Sequence, residues 1–553
     1  MQLRPIPGHP QRKRLRWLVP AFFILLGAYG CGDTPDSNGT SQTLRSVPRN
    51  RTLILDCAEI NICGGQFQDH NSFNPFLAGT TSRTGFNFLY EPLYFYNAFR
   101  DEMIPWIATG HQFNSDYTEV VIHIRDGVRW SDGAPWTAHD LVFTIEMLQA
   151  HAPELVYSVD MQTWVTQAVA VDSLTARITL TAPNPRFVFS YFTSNFGIGV
   201  PIVPRHIWQG QDANAFLNFD RALGLPVFSG PYQLALSSSQ QRIWDLRRDW
   251  WGKETGFSEL PEVERLIYLT YREESKRVQD LIANTLDTSL DLRPPNIRTV
   301  LDRNPRVTTW TGREPPYGYV DFWPISLGFN NLEEPFSDRD VRRAINYAVD
   351  REQLVEVGWQ KSGTPTLLPF PDYPALRPFF LAVEDLLVEH EVGIHSLEKS
   401  AAIMRQKDWT RSGDGFWTRD GRPIKINIDI FPIFNDLTPV LVAQLERAGF
   451  DANFRMTSDV YSRMAQGEAM AFISGHGGSV RDPYFTLRLY HSRFVRPTGT
   501  SAEHFWRWGN ESFDQIVDRM AGVAQDDPEL IRLYRQAMTI WLAELPSIPL
   551  VQW

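Results

Sequence analysis

The clearest change of period in the chain lies between Thr118 and Leu148. Thr118 to Arg125 is a short β-branched run and predicts a strand. Asp126-Gly127 and Asp132-Gly133 are turn dipeptides, in which Gly supplies positive φ without a steric penalty. Pro135 blocks a helix at that point, and Thr137 stands three residues before Asp140 as a capping-box variant. Leu141, Ile145 and Leu148 then recur at helical spacing. The pattern predicts strand, turn, aromatic-studded loop and capped helix. Nothing in it is nucleophilic or metal-binding.

The same alternation runs through the rest of the chain. Arg51 to Asp56 predicts a strand, and Ala170 to Leu180 a hairpin turning at Asp172 and Ser173. Tyr268 to Tyr271 is strand-like and leads to a helix from Glu274 with Val278, Leu281 and Ile282 on one face. Leu327 to Asn331 predicts the end of a strand. Ser337 and Asp340 suggest a second capping box, ahead of Val341, Ala344, Ile345 and Ala348 on an apolar face. A strand over Gly421 to Ile430 and a helix over Asp436 to Gly449 complete a βα unit. Strands alternating with helices predict α/β lobes, and a chain of 553 residues is too long for one core, so two or three domains are expected.

The N-terminus changes the picture of where this chain works. Residues 1–16 carry Arg4, Arg12, Lys13, Arg14 and Arg16 and no acid, and Trp17 to Tyr29 is a run of 13 apolar or small residues. That is the form of a signal peptide, too short for a mature membrane span. Gly30-Cys31 resembles a lipobox, which would make Cys31 the lipidated first residue of the mature chain. Ala28 and the bulky Tyr29 depart from that pattern, and the alternative is ordinary cleavage leaving an unmodified cysteine. Residues 31–50 are rich in Gly, Ser, Thr, Asn and Pro and read as a flexible tether. Loss of the first 30 residues would take the formal net charge from −11 to −16, which disfavours nucleic acid and anionic lipid as partners. The other two cysteines, Cys57 and Cys63, either close a small disulfide loop worth ~2 kcal/mol in an oxidising compartment or remain as thiols; the disulfide is the expectation.

Several stretches carry a family resemblance. Ile124 to Gly133 with Pro135, Thr137, Ala138 and Asp140 is similar to a motif of the bacterial extracellular solute-binding proteins of family 5, the peptide/nickel-type receptors of ABC importers. Asn74-Pro75-Phe76, Tyr90 to Asn97, Pro201 to Trp208, Gly230-Pro231-Tyr232 and Pro335 to Arg351 match further family patterns in the same order. The resemblance implies a bilobed periplasmic-binding-protein fold of type II, in its large class, with a ligand cleft between lobes and hinge closure around the ligand. In this division, lobe I comprises 51–75, 201–300 and 521–553, an additional domain of 76–200 packs on it, and 301–520 forms lobe II. The chain stops at Ile548 to Trp553, where many relatives continue, so this lobe is either trimmed or incompletely represented. The lone His206, between apolar residues, is expected to be buried and satisfied.

The stretch Ala471 to Pro483 speaks most directly to ligand. A buried-type strand enters a Gly-rich segment whose bare backbone can approach a ligand closely. In peptide-binding relatives a carboxylate here pairs with the peptide's α-amino group. Matching on Asp482-Pro483 puts His476 where those relatives have Trp, and Ser479 where they have that carboxylate, so the amine anchor is missing. Gly475, His476, Gly477, Ser479, Arg481 and Asp482 are the candidate ligand residues, with Trp323, just before the strand that leads to Asn330, as a stacking candidate. Arg481 and Asp482 also read as a solvated or lobe-internal pair. Among the 18 tryptophans, Trp106, Trp130, Trp136, Trp310, Trp323, Trp417, Trp506 and Trp508 fall in predicted loops; most are expected in the core, and any that face a cleft would suit sugar rings.

The expected function is therefore an extracytoplasmic receptor that delivers a peptide-class ligand to ABC permease subunits, with a short oligosaccharide as the alternative and an exported hydrolase as a remote one. A monomer without cofactor, metal or nucleic acid is expected, touching the membrane only through a lipid anchor. Catalysis finds little support: His390 and His395 are five apart rather than four and would not share a helix face, and no nucleophile elbow, P-loop or Cys/His cluster occurs.

Overall fold

The computed structural model describes residues 44–56, 65–77, 85, 89–195, 197, 199–290, 292–475 and 477–553. Cys31, Cys57, Cys63 and His476, together with the leader and the first part of the tether, lie outside the described residues. The chain divides into Met1–Ser46 and Val47–Trp553, and the elements described belong to the latter.

The capped helix forms as its spacing predicts. It spans Ala138–Ala150, and the Thr137 N–H donates to Asp140 Oδ2 at 2.8 Å, which closes the capping box. Leu141, Ile145 and Leu148 are fully buried, each removing apolar surface worth about 1.5–3 kcal/mol from water. They pack over a four-stranded antiparallel sheet ordered Ala108–Phe113, Glu119–Ile124, Thr175–Leu180, Val165–Asp172. A second four-stranded sheet runs Thr52–Asp56, Arg265–Leu269, Gln241–Leu246, Tyr232–Ser237, with the first pair parallel.

These two regions share one hydrophobic core. It runs from Phe73 through Trp130, Trp136 and Ile178 to Trp244 and Leu266. Residues 76–200 therefore make their core jointly with the sheet they cover. A separate core takes over from Ile325 to Val551, around a six-stranded sheet ordered Thr364–Pro365, Ser547–Gln552, Ile325–Phe329, Ala471–Gly475, Lys425–Ile430, Asp451–Met456. Lys425–Ile430 is parallel to both its neighbours, with the helix Thr438–Ala448 as the crossover and Gly449 at φ 92° closing it. Two large cores without a shared residue make this an α/β protein of two lobes.

Three expectations change. The expected division put 521–553 in the first lobe, but Ser547–Gln552 lies inside the second sheet, paired to Ile325–Phe329 on one side and Thr364–Pro365 on the other. The cause is visible in the helix Arg339–Ala348 and the turn beyond it. Arg342 donates to the carbonyls of Leu545, Glu544 and Phe336, and Arg351 donates to Pro549 O at 2.7 Å. Burial pushes both guanidinium groups down to about 10, and their bonds to the carbonyls of Glu544, Leu545 and Pro549 tether the last strand. That helix is capped by Asp338, whose carboxylate accepts from Asp340 N at 2.9 Å, and Ser337 is not its cap. His206 is exposed (41 % side-chain exposure) and bonds Asp132 Oδ2 at 2.6 Å, anchoring the Asp132-Gly133 turn instead of filling a core.

Candidate binding cleft

The crossover segment that follows the helix Pro294–Arg303 leads from the first lobe into the second. From Trp310 to Trp323 this segment has little regular structure, and its main chain is pinned to the second lobe. Asp321 N donates to Trp553 O at 2.9 Å, Gln552 Nε2 donates to Asp321 O at 3.0 Å, and Tyr373 Oη donates to Val320 O at 2.8 Å. Beside it lies a cavity of about 550 Å3. Leu292, Pro294 and Ile297 line it from the first lobe, Trp310 and Tyr317 to Tyr319 from the crossover, and Trp359, Ile433 and Trp553 from the second lobe.

Trp323 is half-buried, and its indole lies on the backbone of Gly475; a Cβ there would come within 2.4 Å of the ring. Only glycine fits this contact, which places Trp323, Gly475 and Gly477 together at the end of the strand Ala471–Gly475. Ser479 does not face the cleft. It is fully buried, donates to Asp482 O at 2.8 Å and accepts from Thr486 N at 2.9 Å, so it stabilises its own turn. Asp482 is also committed. It pairs with Arg186 at 2.7 Å, the two side chains being 3 % and 7 % exposed, and accepts from Tyr484 N. The adjacent Arg481 points elsewhere: it lies 3.5 Å from Asp101 and over the rings of Tyr96 and Phe189. Arg481 and Asp482 thus serve two different partners and are not a pair with each other.

Arg186 comes from the opposite side of the cleft. The turn Asn184-Pro185 presents it, with Asn184 Oδ1 accepting from Arg186 N at 3.1 Å, and Nη1 also donates to Met520 O and Ala521 O at 2.9 Å each. Tyr96, Phe189, Tyr373 and Val480 form a small buried cluster at the same junction. Tyr96 Oη donates to Asp101 Oδ1 at 2.8 Å, and burial, with that carboxylate beside it, holds the phenol well above its ordinary range.

Of the tryptophans read as loop residues, Trp130, Trp136, Trp417, Trp506 and Trp508 are buried, and Trp106 donates to Glu91 Oε1 at 3.0 Å. Trp310 differs: it is 70 % exposed and belongs to an aromatic group with Phe99, Tyr319 and Tyr373. Phe99, Tyr319, Tyr373 and Arg186 were not anticipated from spacing. The only local signal was Pro315-Pro316-Tyr317-Gly318-Tyr319, a turn-rich stretch holding two aromatic residues. On the first-lobe side of the cavity, Arg293 Nε bonds Glu274 Oε2 at 2.8 Å and Nη1 approaches Asp436 Oδ1 of the second lobe at 3.5 Å.

Two α/β lobes with separate cores, joined by a crossover that lines a cavity between them, define a bilobed periplasmic-binding-protein fold. A family model for bacterial extracellular solute-binding proteins, family 5, middle region, matches residues 102–495. The chain belongs to this family. It is 22% identical to the heme-binding protein A of Haemophilus influenzae, over 94% of this chain and 90% of that protein. A periplasmic oligopeptide-binding protein of an oligopeptide ABC transporter of Thermotoga maritima superposes with a TM-score of 0.76 at 22% identity, covering 91% of each chain. The mannohexaose-bound structure of that Thermotoga maritima protein gives a TM-score of 0.70 at 22% identity, covering 92% of this chain and 91% of that one. Among the described residues, no helix is long and apolar enough to cross a membrane.

Proposed function

We propose that this chain is the solute-capturing receptor of an ABC importer. It encloses a peptide-class or short oligosaccharide ligand between its two lobes and presents it to the permease subunits. Acylated Cys31 would hold it at the outer face of the membrane, with the residues up to about 50 as tether; the several acyl chains of a lipoprotein anchor stably where a single one does not. The supporting observation is the cavity of about 550 Å3 lined from the first lobe, the crossover and the second lobe together. A site built this way is complete only when the lobes meet, which is how a hinged receptor traps its solute. The named relatives bind heme, oligopeptide or mannohexaose, so the fold itself admits both ligand classes.

Thermal unfolding in the presence of peptide and oligosaccharide libraries tests the reading. A ligand at a hundredfold its Kd stabilises the native state by about 2.7 kcal/mol. The midpoint should rise with at least one member of these libraries. Stabilisation by a metal ion alone, or by no member of either library, would count against the assignment.

A further inference from the structure

We propose that the solute is an uncharged oligosaccharide whose pyranose rings stack on a platform made by Phe99, Trp310 and Tyr319, with the buried Tyr373 behind it. This rests on the receptor reading above and narrows its ligand. The four rings come from three parts of the chain: the turn after the strand Tyr94–Asn97, the crossover, and the second lobe. Phe99 lies at their centre, with its ring centroid 5.8 Å from Trp310 and 5.7 Å from both Tyr319 and Tyr373. Despite these contacts, Trp310 remains 70 % exposed, and Phe99 and Tyr319 46 % each. Aromatic surface left open in a cleft marks a place that something else covers. The rings are also held in place. Phe99 N donates to Asn97 Oδ1 at 3.1 Å, and Trp310 sits in a turn closed by reciprocal bonds between Thr309 and Gly312 at 2.8 and 3.1 Å.

The charges near the platform decide between ligand classes. A free peptide brings an ammonium and a carboxylate, and each needs an uncommitted opposite charge in a dry site. Of the ionic groups lining this cavity, Arg293, Asp287 and Asp436 are engaged within the protein, Asp436 through Oδ1 alone. Arg293 is engaged by Glu274 and Asp436, and Asp287 accepts from Arg49 and from Ile54 N at 2.7 Å each. Further along the cleft, Asp482 holds Arg186 and Arg481 faces Asp101. At the position where an amine anchor would stand, Ser479 is neutral, buried and turned inward. The uncharged polar groups at the cavity, Ser289, Thr308, Thr309, Tyr317 and Ser362, are hydroxyls suited to exchanging hydrogen bonds with sugar hydroxyls. Flat apolar faces flanked by hydroxyls complement a pyranose ring, which is apolar on its faces and polar at its rim.

Isothermal titration of the purified chain against manno-, cello-, xylo- and chito-hexaose, and in parallel against mixed tri- and hexapeptides, tests the inference. At least one hexaose binds, and the peptides do not. Trp310→Ala, at an exposed position that leaves folding intact, weakens that hexaose about tenfold, the factor that ~1.4 kcal/mol of lost ring contact produces. Trp310→Phe retains affinity within about threefold, because a flat ring remains. Binding of peptides and of no hexaose overturns the inference and leaves the receptor reading standing. Hexaose binding that neither Trp310→Ala nor Phe99→Ala weakens overturns the platform. Binding of neither class overturns the inference and the receptor reading together.

Discussion

Residues 76–200 meet the rest of the molecule along two seams of opposite character. Against the first lobe the seam is closed and polar at its centre. Glu91 is buried there and accepts three indole N–H bonds: from Trp106 at 3.0 Å, Trp250 at 3.1 Å and Trp251 at 2.6 Å. Against the second lobe the seam has a buried ion pair, Arg186 with Asp482, but also half-open rings and the looser approach of Arg481 to Asp101. The first seam belongs to a continuous core, whereas the second joins two cores that share no residue. The indole ring therefore serves two ends in one protein. With its N–H satisfied by a buried carboxyl group it helps to close one seam, and with its face left open it lines the other.

The largest effect expected from testing this contrast is at Glu91. Glu91→Leu strands three indole donors at a closed seam, so urea unfolding should show a loss of about 3 kcal/mol or more. A loss below ~1 kcal/mol would mean the seam can open and rehydrate, and the contrast would fail. The pH dependence comes next. Burial pushes Glu91 up to about 7, from 4.5 in the open chain, so across that interval the folded state holds a proton that the unfolded state has released. Its stabilising contribution is complete below pH 4.5 and disappears as pH climbs through 7, so stability should fall by roughly 2–3 kcal/mol between pH 5 and 8. In Glu91→Gln that slope should vanish; a slope that survives assigns the titration to another group.

The smallest of the three is at the second seam. Arg186→Ala leaves Asp482 without its cation, which in a permanently dry site costs about 3–5 kcal/mol. If this seam opens, water reaches the carboxylate, and the loss is held to about 1–2 kcal/mol while small-angle scattering reports a larger radius. A loss as large as that of Glu91→Leu, with no expansion, would make the two seams alike.

The sequence was most legible where a signal runs along one element. The Thr137 capping box, the apolar face of Arg339–Ala348 and the strand-to-helix unit ending at Gly449 all depend on spacing within a few residues, and all form. Features made by distant residues were not legible. Arg186 and Asp482 are 296 positions apart, and no local period connects Phe99 with Trp310 or Tyr373. Ser479 lies in the segment that follows the strand Ala471–Gly475, but its inward orientation depends on Thr486, seven residues on in the short helix Tyr484–Leu487. The placement of the last strand could have been anticipated. Arg342 and Arg351 lie among apolar positions, and a buried guanidinium there needs carbonyl oxygens that the helix's own bonds do not free.

That last strand has a consequence for how the molecule comes to be folded. Ser547–Gln552 completes a sheet whose neighbouring strand, Ile325–Phe329, is synthesised about 200 residues earlier. Until the late strand arrives, one edge of Ile325–Phe329 presents bare amides and carbonyls to any passing chain. Pairings so remote along the polypeptide form slowly. A chain cut short of residue 547 would keep that strand edge unpaired, and it should associate with other chains more readily than the full-length protein.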